Sequence, residues 1–146
     1  MSKNRIAILI KYVSLKFDKL SNPILSKYDL TTAQYRVLKF LYSQQEKLSR
    51  VVDVEKECSI RHPTALGLID NLEKKGFVKK MVNPQDARSK VITLTDKSKN
   101  LQTELEEVGD RIEDVLTDNL TEKEKFELLG LLEKILKEES MGDQIG

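Results

Sequence analysis

The residues of this chain best suited to chemistry are charged and stand together in a polar run, Asn83 to Lys90, between two short runs rich in Val and Ile. This run holds one acid, Asp86, followed by the bases Arg88 and Lys90. At its simplest, an Asp-x-Arg pair on a loop tip is an exposed ion pair worth about 0–1 kcal/mol. The alternative is a binding role, because a guanidinium with restricted rotamers loses little entropy on meeting an anionic surface.

A second cluster stands at the start of a predicted helix. Pro63 suits the first turn of a helix, where a missing N–H costs nothing, and Gly76 suits the position after its last residue. Arg61, His62 and Thr64 therefore crowd around a helix N-terminus, whose free N–H groups favour phosphate. Further candidates are Ser49 and Arg50 at the start of the preceding predicted helix, Lys79 and Lys80 before the polar run, and Lys90 at its end.

Catalytic and metal chemistry find little support in the sequence. The chain has one histidine, His62, and one cysteine, Cys58, whereas a metal site needs several converging ligands. It has no Gly-rich phosphate loop and no Ser/His/Asp set. We therefore predict no enzymatic activity, no cofactor and no metal. Cys58 is interpreted as a small core residue in preference to a redox sensor.

The composition is that of a helix-rich globular chain with unevenly distributed charge. Of 146 residues, 34% are charged and 39% hydrophobic, and no apolar stretch approaches the roughly 20 residues of a membrane span. Lys11 and Lys16 interrupt the apolar N-terminus, which predicts a helix of a mature cytoplasmic protein. Residues 1–60 and 61–100 each carry a net charge of +5, and residues 101–146 carry −9. One interpretation is that these charges only cover solvent-exposed faces. The other is that an anionic partner binds the basic first two-thirds of the chain.

Hydrophobic periodicity predicts a mainly α chain with one β-hairpin. Asn83-Pro84 should open an eight-residue loop, 83–90, that projects as a tongue because it is too long for a two-residue hairpin turn. Three short helices followed by a hairpin are the arrangement of a winged helix-turn-helix, whose third helix lies in the DNA major groove. The predicted elements are helices at 5–20, from Thr31 or Thr32 to about 42, 50–57 and 63–75, strands at 77–82 and 91–95, and helices at 101–116 and from Thr121, capped with Glu124, to 136.

Two segments match one known pattern. The first is Ile60-x-x-Pro63-Thr64, continuing through Ile69-Asp70-x-Leu72 to Gly76-Phe77-Val78, and the second is Asn83-Pro84-x-Asp86-x-Arg88 followed by Leu94-Thr95. The second segment is the more specific one, and the flanking helices extend the match over nearly the whole chain. With these motifs the sequence resembles the MarR/SlyA family of winged helix-turn-helix transcriptional regulators.

The resemblance implies that Arg88 enters the minor groove of DNA while Asp86 orients it. The residue chemistry agrees, since Arg61 can pair with guanine O6 and N7 and Thr64 can offer a hydroxyl or methyl contact. His62 is interpreted as a DNA contact in preference to a merely exposed helix-start residue.

The sequence also departs from the family. Gly67 and Asn71 stand where the family often has Arg, so DNA binding is predicted either to be weaker than usual or to depend more on the wing (residues 77–95). The predicted DNA-binding residues are Ser49, Arg50, Arg61, His62, Pro63, Thr64, Gly67, Lys80, Asp86, Arg88 and Lys90.

The resemblance also implies the organisation of the whole chain. We predict one MarR-like domain, 1–146, with a DNA-binding lobe at 31–100 and dimerisation helices at 1–30 and 101–146. The implied function is a sequence-specific repressor that binds palindromic double-stranded DNA as a homodimer and responds to a small aromatic or anionic effector. Tyr12, Tyr35 and Tyr42 could line an effector cleft, although core packing is the preferred interpretation. The alternative function is a protein-interaction module, or a regulator with little DNA affinity of its own.

Overall fold

A computed structural model describes residues 5–137 of the chain. Its helices and strands follow one another in the order predicted, with one additional strand. They are α1 (Arg5–Leu25), a short 3-10 helix (Ser26–Tyr28), α2 (Thr32–Ser43), β1 (Ser49–Arg50), α3 (Val51–Cys58), α4 (His62–Lys74), β2 (Val78–Asn83), β3 (Asp86–Leu94), α5 (Asp96–Leu116) and α6 (Glu122–Ile135). In the part of the chain described, none of the helices has the length and apolar character to cross a bilayer.

The chain divides into two compact units, one ending at Ile112 and the other beginning at Glu113. The first unit contains α1 to β3 and most of α5. The second contains the last turn of α5 together with α6, and the predicted region 101–146 continues beyond Lys137 into residues that lie outside those described.

The predicted helix starts are confirmed where a side chain caps the helix. Thr31 accepts a hydrogen bond from the Gln34 N–H at 3.1 Å, and the Gln34 side chain accepts one from the Thr31 N–H at 3.1 Å. Thr121 and Glu124 form the same reciprocal pair at the start of α6, at 3.1 and 2.9 Å. Each capping box satisfies donors that a helix N-terminus otherwise leaves unpaired.

The sheet has three antiparallel strands in the order β1-β3-β2, so the prediction of a two-stranded hairpin was incomplete. Ser49 pairs with Ile92 and Arg50 with Val91. A two-residue strand has no periodicity to detect, which explains why the sequence did not indicate it. Ser49, which the sequence placed at the start of the following helix, instead lies buried in β1, and Arg50 occupies the N-cap position of α3.

The prediction of an eight-residue loop at 83–90 is also wrong. Strands β2 and β3 extend further than expected and are joined by a two-residue turn, Pro84-Gln85. The strand register jumps from Val82 opposite Lys90 to Asn83 opposite Asp86. Residues 87–89 therefore have no counterpart on β2 and bulge from the hairpin, so the polar residues that looked like loop are strand and bulge.

The end of α4 joins the helical and sheet parts of the first unit. Gly76 adopts a left-handed φ of 83°, and the Phe77 N–H bonds to the Leu72 carbonyl at 2.9 Å, the pattern of a Schellman cap. The Phe77 carbonyl then accepts from the Thr95 N–H at 3.2 Å and from the Ser98 hydroxyl. Thr95 Oγ1 donates to the Gly76 carbonyl at 2.6 Å. One short segment thus connects α4, the sheet and α5.

Tyr35 packs its hydroxyl against the backbone of α5. It is buried and donates a hydrogen bond to the Leu105 carbonyl at 3.2 Å. A Cβ atom added at Gly109 would lie 2.3 Å from this hydroxyl oxygen but 3.5 Å from the ring carbon that bears it. Gly109 is therefore required by close packing of α2 on α5 and not by backbone conformation.

This contact predicts that Gly109→Ala destabilises the protein relative to Gly67→Ala. Both changes gain the same helix propensity, but Gly67 has no atom within 4 Å of the added Cβ. The difference in the free energy of unfolding should be about 1–3 kcal/mol, the cost of overpacking a core site. Denaturant unfolding of both variants measures it.

The substitution Tyr35→Phe should reduce the destabilisation caused by Gly109→Ala. Without the hydroxyl, the added Cβ meets the ring at an ordinary contact distance, so Gly109→Ala should cost much less in the Tyr35→Phe background than in the wild type. Equal costs in the two backgrounds would show that the hydroxyl does not create the clash.

Candidate nucleic-acid interface

The turn between α3 and α4 leaves the start of α4 open to solvent. Cys58 ends α3, Ser59 takes a left-handed φ of 53°, and the Ile60 N–H returns to the Glu55 carbonyl at 3.0 Å. Arg61 is the N-cap of α4 and makes no side-chain capping bond. The free N–H groups of this terminus are therefore available to an anion from solvent.

The faces of α4 follow the helical repeat. Ala65, Ile69 and Leu72 are buried in the core. The opposite face is an exposed stripe that begins with Pro63 and Thr64. Further residues of this stripe are Gly67, Asn71 and Lys74. A double helix could approach this stripe closely, because no atom lies within 4 Å of a Cβ placed at Gly67.

His62 joins the two helices of this region. Its Nδ1 lies 3.0 Å from Glu55 Oε2 on α3, while 60% of its side chain stays exposed. The ring is therefore oriented by Glu55 and presents its other edge to solvent. This placement agrees with a contact role for His62 and also gives it a structural partner that the sequence did not indicate.

Side chains of Asn83, Asp86 and Ser89 fold the wing tip (residues 83–89). Asn83 Oδ1 accepts from the Gln85 N–H at 2.9 Å, and Asp86 Oδ1 accepts from the Arg88 N–H at 3.0 Å. Ser89 links the two turns, because its hydroxyl accepts from Asn83 Nδ2 at 3.0 Å and donates to the Asp86 carbonyl at 3.2 Å. Asx turns of this kind fix a loop before any ligand arrives.

Arg88 projects from this folded tip. Its Nε donates to Asp86 Oδ1 at 3.3 Å, yet 93% of its side chain is exposed. Asp86 thus accepts hydrogen bonds from both the backbone and the guanidinium of Arg88. At this exposure the pair contributes about 0–1 kcal/mol to stability, so its main effect is on where the guanidinium points.

Lys80 is placed differently from its neighbour Lys79. Its ammonium contacts Asp70 Oδ1 and lies 3.5 Å from Glu73 Oε1, and both acids belong to α4. The hydrogen bond to Asp70 raises the pKa of Lys80. Its charge is therefore already paired within the protein, whereas Lys79 is exposed.

The two residues predicted at the start of α3 differ in their exposure. The Arg50 N–H donates to Asp53 Oδ2 at 2.8 Å, and its guanidinium remains half exposed, 3.5 Å from the same carboxylate. Ser49 is only 4% exposed, in β1. Arg50 can reach an external phosphate from this position, whereas Ser49 would first have to leave the sheet.

The cysteine and two of the three tyrosines considered for an effector cleft are buried. Burial raises the pKa of the Cys58 thiol, which favours the unreactive protonated form. Tyr42 donates to the Ser98 carbonyl at 2.6 Å, and burial raises its pKa to about 12. Core packing, the interpretation preferred from the sequence, is therefore confirmed for Tyr35 and Tyr42, but it is wrong for Tyr12, which is 61% exposed.

The sequence did not indicate the residues that position other residues of the site. Asn83 and Ser89 build the wing tip, and Glu55 orients His62, but isolated polar residues carry no local pattern that signals such contacts. Asp70 and Glu73 are spaced three apart on one predicted helix face next to a lysine-containing strand. That spacing was the available signal for their pairing with Lys80.

Comparison with known proteins agrees with this geometry. A family model described as transcriptional regulator SarA/Rot matches residues 19–105. The chain is 33% identical to the multiple antibiotic resistance protein MarR of Escherichia coli K12 over 88% of each protein. Among solved structures, an E. coli MarR variant in complex with operator DNA has a TM-score of 0.81 at 32% identity, covering 92% of this chain and 97% of that one. A complex of S. aureus MepR with DNA has a TM-score of 0.81 at 28% identity, covering 89% and 95%.

The α3–α4 pair, the sheet and the folded tip between β2 and β3 define a winged helix-turn-helix protein. Helix α4 has the place of the recognition helix, and the hairpin is the wing. The chain belongs to the MarR family of transcriptional regulators, which confirms the expectation drawn from its two sequence motifs.

The hydrogen bonds of the wing tip lead to a prediction about its rigidity. Asn83→Ala should speed hydrogen exchange of the Gln85 amide, and Asp86→Ala should speed exchange of the Arg88 amide, because each change removes the acceptor of that N–H. Each variant is the control for the other. Exchange by NMR measures both amides, and unchanged rates at the expected position would show that the turn does not depend on its Asx side chain.

Proposed function

We propose that this regulator represses transcription by binding palindromic DNA as a homodimer. The observations that carry the proposal are an exposed Arg88 on a pre-folded wing and a helix, α4, whose N-terminus is open to solvent. This arrangement offers one cation for a minor groove and one helix start for the adjacent major groove. The net charge of +5 in residues 61–100 supports the same partner.

In the major groove, the start of α4 would read bases. Arg61 is free of a capping bond and could pair with guanine, while Thr64 and Gly67 lie on the exposed stripe. The wing would read the minor groove through Arg88, with Asp86 restricting its rotamers. Arg50 and Lys90 would neutralise phosphates. We leave Ser49 out of this interface because its side chain is buried.

Dimerisation is supported by apolar surface on both units. Helix α1 exposes large apolar side chains, among them Ile6 at 71% and Val13 at 52%. Helix α6 has no buried residue and exposes Phe126 at 78% and Leu129 at 57%. Such surfaces mark contact sites, and a second copy of the chain with two-fold symmetry would cover both and present two recognition helices to a palindrome.

An effector site is proposed next to the core tyrosines. A cavity of about 220 Å³ is lined by apolar and polar groups of α2 and α5, including Tyr35, Lys39, Tyr42 and Leu105. Lys39 would attract an anionic group and the tyrosine rings an aromatic one. Since α2 and α5 belong to the unit that holds α4, a ligand here could alter the DNA-binding surface. We further propose that the protein has no catalytic activity and acts in the cytoplasm, where its DNA is.

Arg88→Ala tests the wing. We expect DNA affinity to fall at least several-fold, and the slope of log K against log salt concentration to become shallower by about 1, because one cation no longer displaces a counterion. The melting temperature and the oligomeric state should not change, since the side chain is almost fully exposed. Fluorescence anisotropy with DNA fragments selected from the genome, over a range of salt concentrations, measures the effect.

Lys123→Ala is a control, because Lys123 is a similarly exposed cation in α6 and should not affect the salt slope. Equal affinity of wild type and Arg88→Ala would remove the wing from the DNA interface. Wild-type protein that binds no DNA fragment even at low salt would favour the protein-interaction alternative instead.

Leu129→Glu tests the dimer. A carboxylate placed in an apolar interface costs several kcal/mol unless it is paired, so we expect this variant to sediment as a monomer and to lose high-affinity binding to a palindrome. Lys134→Glu is the matched control, because residue 134 lies about 140° around the same helix. If Leu129→Glu remained a dimer in analytical ultracentrifugation, α6 would not form the interface.

A further inference from the structure

We propose that Lys80 is a positioning residue that joins the wing to the recognition helix and offsets part of the charge of two acids there, and that it does not bind phosphate. We call its contacts with Asp70 and Glu73 the Lys80 bridge. The inference rests on the proposed DNA-binding function and revises the role predicted for Lys80 from the sequence. It begins from three contacts that meet at one residue.

The contacts involve both the side chain and the backbone of Lys80. The ammonium lies against Asp70 Oδ1 and 3.5 Å from Glu73 Oε1, and the Lys80 N–H donates to Glu73 Oε2 at 3.3 Å. Asp70 and Glu73 are three residues apart, so they lie on the same side of α4, next to the exposed stripe. The bridge therefore joins one edge of the recognition helix to strand β2 at a fixed position.

The position of Lys80 in the sheet carries this constraint to the wing tip. Strand β2 is an edge strand, and Lys80 is paired with Ile92 of the central strand β3. Strand β3 continues into the bulge that holds Arg88. A fixed distance between α4 and Lys80 thus limits how far the wing tip can swing relative to the recognition helix, and both would have to meet adjacent grooves together.

The charges of α4 give the bridge its second effect. Between Arg61 and Lys74 the helix has two carboxylates, Asp70 and Glu73, and lacks cations at positions 67 and 71. Carboxylates beside a DNA-reading face repel phosphates over a Debye length of about 8 Å. One ammonium held between them reduces this repulsion, but only while it remains paired with them and not with DNA.

The experiment is a mutant cycle in DNA affinity. Lys80→Met should weaken binding about five- to tenfold, a coupling of ordinary size for charges in contact, while the salt slope stays within about 0.3 of the wild-type value. Asp70→Asn with Glu73→Gln should restore only part of this loss in the Lys80→Met background, because it removes the repulsion without re-forming the bridge, and should not raise affinity when Lys80 is present. Lys79→Met is the matched control for loss of an exposed lysine at the neighbouring position.

Other outcomes overturn the proposal. If Lys80→Met makes the salt slope shallower by about 1, Lys80 is a phosphate ligand. If the two acid substitutions raise affinity equally in both backgrounds, the acids act independently of Lys80.

A DNA-free measurement separates failure of the bridge from failure of the proposed function. Glu73→Ala should speed hydrogen exchange of the Lys80 amide at least several-fold, even if the wild-type protein binds no DNA. Unchanged exchange of that amide would show that the bridge does not hold β2 against α4.

Discussion

The carbonyl groups of Gly76 and Phe77 are the junction on which the arrangement of this protein depends. They follow directly after the recognition helix, and they accept hydrogen bonds from the backbone and hydroxyl of Thr95 and from the hydroxyl of Ser98. The left-handed φ of Gly76 turns the chain so that these carbonyls face α5. Without this turn, α4 could form, but its end would lose these hydrogen bonds to Thr95 and Ser98.

The two candidate DNA-contacting parts, the start of α4 and the wing tip, are held in place by different kinds of interaction. The start of α4 is positioned by regular structure, since one face of the helix is buried and the turn before it is closed by backbone bonds. The wing tip has no core of its own. Its order comes from Asn83, Asp86 and Ser89, whose side chains accept or donate to nearby groups within six residues. The tip is thus fixed locally, and the Lys80 bridge sets its placement relative to α4.

The sequence predicted those features that a local pattern encodes. Apolar periodicity located the helices, capping residues located the starts of α2 and α6, and the paired motifs led to the correct family. It did not predict β1, which is too short to show a period, or the two-residue turn, because Asn83 to Lys90 is polar and looked like loop. The roles of Lys80 and Ser49 depended on which surface each side chain faces. That orientation is decided by tertiary contacts with Asp70 and Ile92, which lie 10 and 43 positions away in the chain.

The contact between Tyr35 and Gly109 also constrains motion. The Tyr35 hydroxyl lies so close to the backbone of α5 that it fits only opposite a residue without a Cβ, and the residues one turn away on the same face, Leu105 and Ile112, both carry one. Sliding α5 along α2 by one turn would therefore bring a side chain to the place of Gly109. The missing Cβ at Gly109 therefore fixes the register in which α5 packs on α2.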